Sequence, residues 1–496
     1  MKIDILGHAS LYVHGADVSV LFDPLLFGVH SEGLYDIYPP RALHLERMPS
    51  FDAVIISHAH SDHFDLETIA RLPRATPIFA ADDGELLDCL EGLGFASVTP
   101  LADYQTIRAG ELEIIPTPAA YGAREHGFLI RDGDALVWNM VDTFPMPDAI
   151  AEIRSRCPAI DVLIAPWQPL LDSALAHGQA ARFPFELYAR MIETIRAIGP
   201  RAVVPGACGF WARGGAAWTN HLLFPTTRER FVYDLARAVP TLAESIMVLE
   251  PGDALVVSEG MVSREQGLLD YIECDREAYD WRAREFRPAE LAPLGEPRGD
   301  DFTPAQCGDA LAEFFRGALL EHVVSAPSRF AEHRRWGVVR QYSVVFSGGA
   351  RRSWTLDLRG EQPALREGGS PLALATTTLP ASLLLGLIAG TISWDYAVMS
   401  GELRVRDDTY RYDELGMRRP GHRRLVDPLA ELLGGAEARE HHLALQVERL
   451  LAEVGDAHVV ASARDEARPR IDSHTVMREV LKQMSESQVD QKDSDD

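Results

Sequence analysis

Side chains that coordinate metals crowd the loop after one apolar segment of the chain. The segment, FDAVIIS at 51–57, is a nearly continuous apolar run and predicts a strand that is covered on both faces. The pattern H-x-H-x-D-H follows it directly and contains His58, His60, Asp62 and His63. Imidazole and carboxylate are common ligands for zinc, iron and manganese. The spacing predicts that His58 and His60 serve one metal, and that Asp62 and His63 serve a second metal roughly 3.5–4 Å away.

Predicted strands and helices alternate through the first half of the chain, which favours a layered α/β arrangement. The strands are predicted at 17–24, 51–57, 75–80, 162–167 and 201–206, with three more between 112 and 143. Helices are predicted at 84–94 and 184–199, and Asp65 is predicted to cap a short helix at 66–72.

The length of 496 residues predicts two or three domains. We predict a catalytic domain over 1–280, which a stretch rich in proline and charge separates from an accessory α+β domain over 303–415. A helical segment is predicted over 416–480, and a polar, disordered tail over 481–496. The formal net charge of -26 argues against a nucleic-acid partner, because the surface could not neutralise phosphates.

The five cysteines are scattered, with no C-x-x-C pair, which predicts reduced thiols in a cytoplasmic protein. The most apolar run, at 379–390, is too short to span a bilayer.

The stretch SHAHSDH resembles the signature of the metallo-β-lactamase superfamily, and the likeness extends over roughly residues 1–260. It implies an αββα sandwich with a dinuclear metal site at one edge of the sheets. Asp142, in VWNMVDT, lies where the family places a bridging aspartate. His8, in LGHAS, resembles a family position that supports the site without binding metal.

Longer stretches are similar to the CMP-N-acetylneuraminate hydroxylases: DAVIISHAHSDHFDLETIARL, ALVWNMVDT, RFPFEL and GPRAVVPGACGFW. Those enzymes join a Rieske iron–sulfur domain to a metallo-β-lactamase-like domain. This sequence has no Rieske pair of C-x-H and C-x-x-H motifs. The resemblance therefore implies that electrons would come from a separate donor protein.

Two positions depart from the superfamily's hydrolases. Where those proteins carry a third histidine, this sequence has Ala120 and Tyr121, and the nearest candidates are Glu125 and His126. In a diiron β-hydroxylase of chloramphenicol biosynthesis, which shares the fold, a glutamate fills this role. The resemblance therefore implies Glu125 as the ligand, with His126 as the alternative.

The final histidine of the family pattern is also missing, because the sequence offers Cys208 at that place. The next histidine along the chain is His221, which we predict as the last ligand. The predicted metal ligands are His58, His60, Asp62, His63, Glu125, Asp142 and His221, with catalytic roles for Asp62 and Asp142.

Carboxylates make this ligand set harder than an all-nitrogen zinc site, so we predict two divalent metal ions and prefer iron, with zinc or manganese as alternatives. The predicted function is a diiron oxygenase that hydroxylates or oxidises a small polar substrate. The alternative is a metal-dependent hydrolase of a lactone, amide or phosphodiester. A metal-binding scaffold protein is the third reading.

The region 303–415 resembles the sterol-carrier-protein-2-like accessory domain that accompanies some metallo-β-lactamase domains. That likeness implies an apolar cleft or a contact in a homo-oligomer. The alternative is a lid packed against the entrance of the catalytic site.

Overall fold

A computed structural model describes most of the chain. The described residues are 1–120, 124–157, 159–168, 176, 182–223, 226–258, 260–280, 282, 293–420, 425–455 and 471–472. Tyr121 and the predicted disordered tail at 481–496 lie outside them.

The first half of the chain forms two large mixed sheets that face each other. In spatial order, the first sheet consists of Met261–Glu265, Ala254–Ser258, Lys2–Gly7, Ser10–His14, Ser19–Phe22, Ala53–Ile56, Ile78–Ala81 and Val98–Leu101. The second consists of Ala202–Gly206, Val162–Pro166, Ala135–Asn139, His126–Asp132, Leu112–Pro118, Ile107–Ala109 and Ile471–Asp472. Smaller pairings involve Phe210–Ala212, Tyr35–Ile37 and Val29–His30, and Ile272–Cys274 with Arg41–Leu43.

One apolar core fills the space between the two large sheets. The rings of Phe22 and Phe128, one from each sheet, meet edge to face with centroids 5.3 Å apart. Trp138 beside them is fully buried. Helices cover the outer faces, so the central strands are buried on both sides, as their continuous apolar sequences predict.

Helices of the first half complete the layers. They are Leu66–Ile69, Gly84–Gly92, Pro147–Arg156, Phe185–Ile198, Asn220–Leu223 and Arg228–Ala238, with 3-10 turns at Gly214–Thr219, Pro240–Leu242 and Arg276–Ala278. The predicted cap is confirmed, since the Asp65 carboxylate accepts a hydrogen bond from the Thr68 N–H at 3.0 Å. The mixed α/β architecture is therefore the predicted one.

A second sheet-and-helix assembly follows in the chain and has its own apolar core. Its sheet consists, in spatial order, of Ala364–Glu367, Arg351–Asp357, Val339–Val345, Ala375–Pro380 and Arg404–Asp407, beside a hairpin of Arg411–Asp413 and Gly416–Arg418. Its helices are Pro304–Phe314, which continues through the π-helical turns Phe315–Leu319 into Leu320–Ser325, then Ala331–Trp336, Ala381–Ile388, Trp394–Met399 and Pro428–Gly434, with a 3-10 turn at Ser347–Gly349. Its likeness to a sterol-carrier-protein-2-like domain stays a prediction, and so do the domain boundaries.

The last described helix, Ala436–Val454, packs on the first half of the chain. Leu450 on this helix shares an apolar cluster with Leu86 and Leu90, which lie on Gly84–Gly92. The helix thus adds to the layer that covers the outer face of the first sheet. Among the described residues, none of the helices combines the length and the hydropathy that a bilayer span requires.

Replacing Leu450 with alanine should lower the free energy of unfolding by about 2–5 kcal/mol, because it opens a cavity at a fully buried position. Denaturant titration followed by circular dichroism measures the change. Leu451→Ala is the matched control: that residue is 41 % exposed on the same helix, so its change should stay within about 0.5 kcal/mol. Equal effects of the two substitutions would show that the helix does not pack as described.

Candidate metal centre

The metal-binding loop rests on one buried carboxylate, that of Asp23, which is 1 % exposed. Its Oδ1 accepts a hydrogen bond from the backbone N–H of Ser57 at 2.7 Å. Its Oδ2 accepts from the Ser57 hydroxyl at 2.7 Å and from His63 Nδ1 at 3.0 Å. Asp23 follows Ser19–Phe22 and Ser57 follows Ala53–Ile56, two parallel neighbours whose carboxyl ends meet at the same sheet edge.

These hydrogen bonds fix which nitrogen of each imidazole carries the proton. The Ser57 hydroxyl donates its proton to Asp23, so its 2.9 Å contact with His58 Nδ1 requires that nitrogen to be the donor. Nδ1 of His63 is a donor as well, because its partner is the Asp23 carboxylate. When the rings are neutral, as metal binding requires, each Nε2 is left with a free lone pair. Both Nε2 atoms are buried with no hydrogen-bond partner among the described residues. A bound metal supplies the missing partner for such nitrogens.

The unsatisfied nitrogens belong to three groups of side chains whose ligand atoms lie within 4.8 Å of one another. The groups are His58, His60 and Glu125; His58, His63 and Asp142; and His8, Asp62 and His63. Asp142 Oδ2 lies 3.6 Å from His63 Nε2 and 3.9 Å from His58 Nε2. Asp142 Oδ1 is buried and has no hydrogen-bond partner in the part of the chain that the structure describes. The imidazole and carboxylate donors therefore suit divalent metals.

A strained turn carries Asp142 to this position. The preceding residue, Val141, has φ 55°, a left-handed conformation that is rare for a β-branched side chain. Hydrogen bonds hold the turn: the Asn139 side chain accepts from the Val141 N–H at 3.0 Å, and Thr143 N–H donates to Met140 O at 3.0 Å. Strain of this kind is typical of functional sites.

Glu125, and not His126, joins the first group of ligands. The backbone N–H of His126 donates to Ser57 O at 3.2 Å, which ties the start of its strand to the metal-binding loop. The His126 side chain lies elsewhere, with Nδ1 at 3.2 Å from Asp103 Oδ1. The geometry is thus the one expected for the preferred ligand, while the assignment itself stays a prediction.

His8 orients Asp62 and is not free to bind a metal. The Gly209 N–H donates to His8 Nδ1 at 3.2 Å, so the proton of the neutral ring resides on Nε2. That nitrogen lies 3.1 Å from Asp62 Oδ2 and donates to it. The contact leaves the remaining lone pairs of the carboxylate available to a metal.

Opposite charges dominate the electrostatics of the cluster. Burial acts to raise the pKa of Asp62, but His63 and the hydrogen bond from His8 hold it well below its usual value. Burial acts to lower the pKa of His63, but Asp62 and Asp142 raise it to about 10. The pKa of Glu125 is raised by burial and by Asp142.

Two histidines, His221 and His30, have positions that sequence reasoning does not anticipate. His221, half-buried on Asn220–Leu223, belongs to none of the three groups, so its role as the last ligand stays a prediction without geometric support. His30 is 2 % exposed, and its ring centroid lies 6.0 Å from that of His8. Its Nε2 has no hydrogen-bond partner among the described residues. It lies on the two-residue strand Val29–His30, outside any ligand motif, so no sequence pattern singles it out.

Comparison with known families agrees with this geometry. Residues 19–206 match the family described as the beta-lactamase superfamily domain. The matched range contains all the members of the three ligand groups except for His8, which precedes it.

The proteins that are similar to this chain include both hydrolases and hydroxylases. A UPF0173 metal-dependent hydrolase of Pyrococcus furiosus is 22% identical over 51% of this chain and 99% of its own length. The 4-amino-L-phenylalanyl-[CmlP-peptidyl-carrier-protein] 3-hydroxylase of Streptomyces venezuelae is 27% identical over 28% of this chain and 29% of its own. The cytidine monophosphate-N-acetylneuraminic acid hydroxylase of Cricetulus griseus is 33% identical over 16% of this chain and 14% of its own.

Among solved structures, the isothiocyanate hydrolase from Delia radicum gut bacteria is 16% identical with a TM-score of 0.39. The match covers 52% of this chain and 100% of that chain.

Glu125→Ala should lower the number of metal ions bound per chain, because it removes one of three donors in its group. Atomic emission analysis of the purified protein measures the metal content. His126→Ala is the neighbouring control and should leave the content unchanged. Full occupancy in Glu125→Ala together with loss in His126→Ala would reverse the assignment.

Asp23→Asn should weaken metal binding by about 10–100-fold, because an amide offers one acceptor oxygen where the carboxylate orients two side chains. Competition with a chromogenic chelator measures the affinity. Asp52→Asn is the matched control, since Asp52 accepts a hydrogen bond from the Ser19 N–H at 2.9 Å and belongs to none of the three ligand groups. Unchanged affinity in Asp23→Asn would contradict the role of this carboxylate.

Proposed function

We propose that this chain is a dinuclear-metal enzyme, and that it is a diiron oxygenase acting on a small-molecule substrate. His58, His60 and Glu125 would hold one metal, and Asp62 and His63 the other. Asp142 would bridge the two ions. When bound, a pair of ferrous ions supplies electrons for the reduction of O₂.

The observation that carries the proposal is the carboxylate of Glu125 beside two imidazoles. With Asp62 and Asp142, it gives the site three hard oxygen donors. Such donors favour iron over an all-nitrogen zinc pocket, and iron, unlike zinc, changes its oxidation state. The similarity of part of the chain to two hydroxylases supports the same reading.

In the proposed reaction a substrate C–H bond becomes C–OH. One oxygen atom of O₂ enters the product and the other leaves as water, which consumes two protons from solvent and two electrons. A separate electron-donor protein would supply the electrons. The chain's own residues keep the ligands in place: Asp23 orients His63 and Ser57, and His8 orients Asp62.

His60 marks the side from which a substrate can approach. It is exposed, whereas His58 and His63 are buried at 2 % and 0 % exposure. The Glu125 side chain beside it is half-buried. The open side of the proposed centre is therefore the side of His60 and Glu125.

Hydrolysis of a lactone, amide or phosphodiester is the second candidate function. It is favoured by the match to the metal-dependent hydrolase, which extends over 99% of that protein's length. With zinc in the same ligands, the site would polarise the substrate and lower the pKa of water.

Protein produced with iron and without added zinc should contain about two irons per chain. After anaerobic reduction, exposure to O₂ should return a visible absorption band. Glu125→His is the matched variant, because it keeps a ligand but replaces oxygen with nitrogen, so its ratio of bound iron to bound zinc should fall. Zinc-loaded protein that hydrolyses esters without O₂, and iron-loaded protein inert to O₂, would establish the hydrolase instead.

A further inference from the structure

A cleft of about 1150 Å³ lies between the first half of the chain and the second. One wall comes from the first half of the chain and includes Val29 and Phe64. The other comes from the loop and helices after residue 386 and includes Ile392, Trp394 and Leu445.

The cleft borders the metal-binding loop at His60, the one proposed ligand among its described lining residues. His60 and Ser61, both on the metal-binding loop, line it. His30, the buried histidine without a partner for Nε2, lies on the same wall. A molecule bound in the cleft would therefore present one end to the ligand His60.

The two walls are held together by direct contacts. Glu32 accepts a hydrogen bond from the Ser393 N–H at 3.1 Å, and it lies 3.8 Å from His442 Nε2. Arg439 donates to Glu85 at 2.9 Å. The cleft is therefore preformed, as most small-molecule sites are.

All the arginines among the described lining residues are already paired with a carboxylate. The pairs are Arg71 with Glu67, Arg298 with Glu402, Arg439 with Glu85, and Arg449 with Glu67. Binding an anion along the cleft would have to break one of these pairs. The rest of the lining combines apolar and aromatic side chains with six carboxylates, which disfavours an anion and leaves apolar surface for an uncharged body of the bound molecule.

We infer that this cleft binds the substrate of the metal centre, and that the substrate is an elongated, uncharged amphiphile whose polar end reaches His60. This inference rests on the proposed function. The volume of about 1150 Å³ exceeds the range of about 300–1,000 Å³ for ligand sites, so the molecule is longer than the small polar substrate that the sequence predicts. The second half of the chain thus forms half of the substrate site.

Octyl β-glucoside below its micellar concentration is a suitable probe, because it joins a neutral polar head to an apolar body. Methyl β-glucoside has the same head without the body. Saturation-transfer NMR on the full chain loaded with Zn²⁺ should detect binding of the octyl compound only. In the chain loaded with paramagnetic Mn²⁺, the head-group protons of the bound probe should broaden more than those of the terminal methyl group.

Two substitutions narrow the cleft from opposite walls, Val29→Trp and Leu445→Trp. Each should weaken binding of octyl β-glucoside at least fivefold. Leu451→Trp is the matched control on the same helix as Leu445, since Leu451 is exposed and does not line the cleft, and it should leave binding unchanged.

Absence of binding, equal binding of the methyl compound, or unchanged affinity in both cleft variants would overturn the inference. Binding without broadening by Mn²⁺, in protein shown to contain Mn²⁺, would also overturn it, because the probe would then lie away from the metals. None of these readings requires turnover. Protein that binds the probe in this way but never reacts with O₂ would reject the oxygenase while the cleft assignment stands.

Discussion

The carboxylate of Asp23 sets the geometry on which the candidate site depends. Asp23 follows one strand of the first sheet, and the metal-binding loop follows the parallel neighbouring strand. The hydrogen bonds that Asp23 accepts from this loop fix the positions of Ser57 and His63. The hydrogen bonds to this one carboxylate set the tautomers of His58 and His63, in which Nδ1 carries the proton and Nε2 has a free lone pair. A buried nitrogen with no partner costs about 1–3 kcal/mol, and metal binding would offset that cost.

The local parts of this arrangement could be predicted from the sequence. The run at 51–57 and the H-x-H-x-D-H pattern lie within one strand and one loop, so their spacing alone decides what they can hold. Alternating apolar and turn segments predicted eight strands and three helices of the first half, and each has a counterpart in the structure, but short elements such as Val29–His30 and Asn220–Leu223 were not predicted. Glu125 was found by its order in the family pattern, and the structure brings it to His58 and His60.

The non-local parts could not be predicted, for physical reasons. An apolar stripe on Ala436–Val454 shows that one face is buried, but not that Gly84–Gly92 is what covers it. Residues such as His221 and His30 are placed by loops whose paths depend on packing elsewhere. Ser57 contacts the ligand His58 through a hydrogen bond, and residue type alone does not reveal such a partner. No motif in the sequence of the second half predicts that this part of the chain lines the cleft.

Anomalous X-ray diffraction from crystals of the metal-loaded protein, measured at the iron and zinc absorption edges, would locate and identify the bound ions. We expect two peaks roughly 3.5–4 Å apart, one beside the Nε2 atom of His58 and the other beside that of His63, with the signal at the iron edge. A single peak, or peaks remote from these nitrogens, would contradict this expectation.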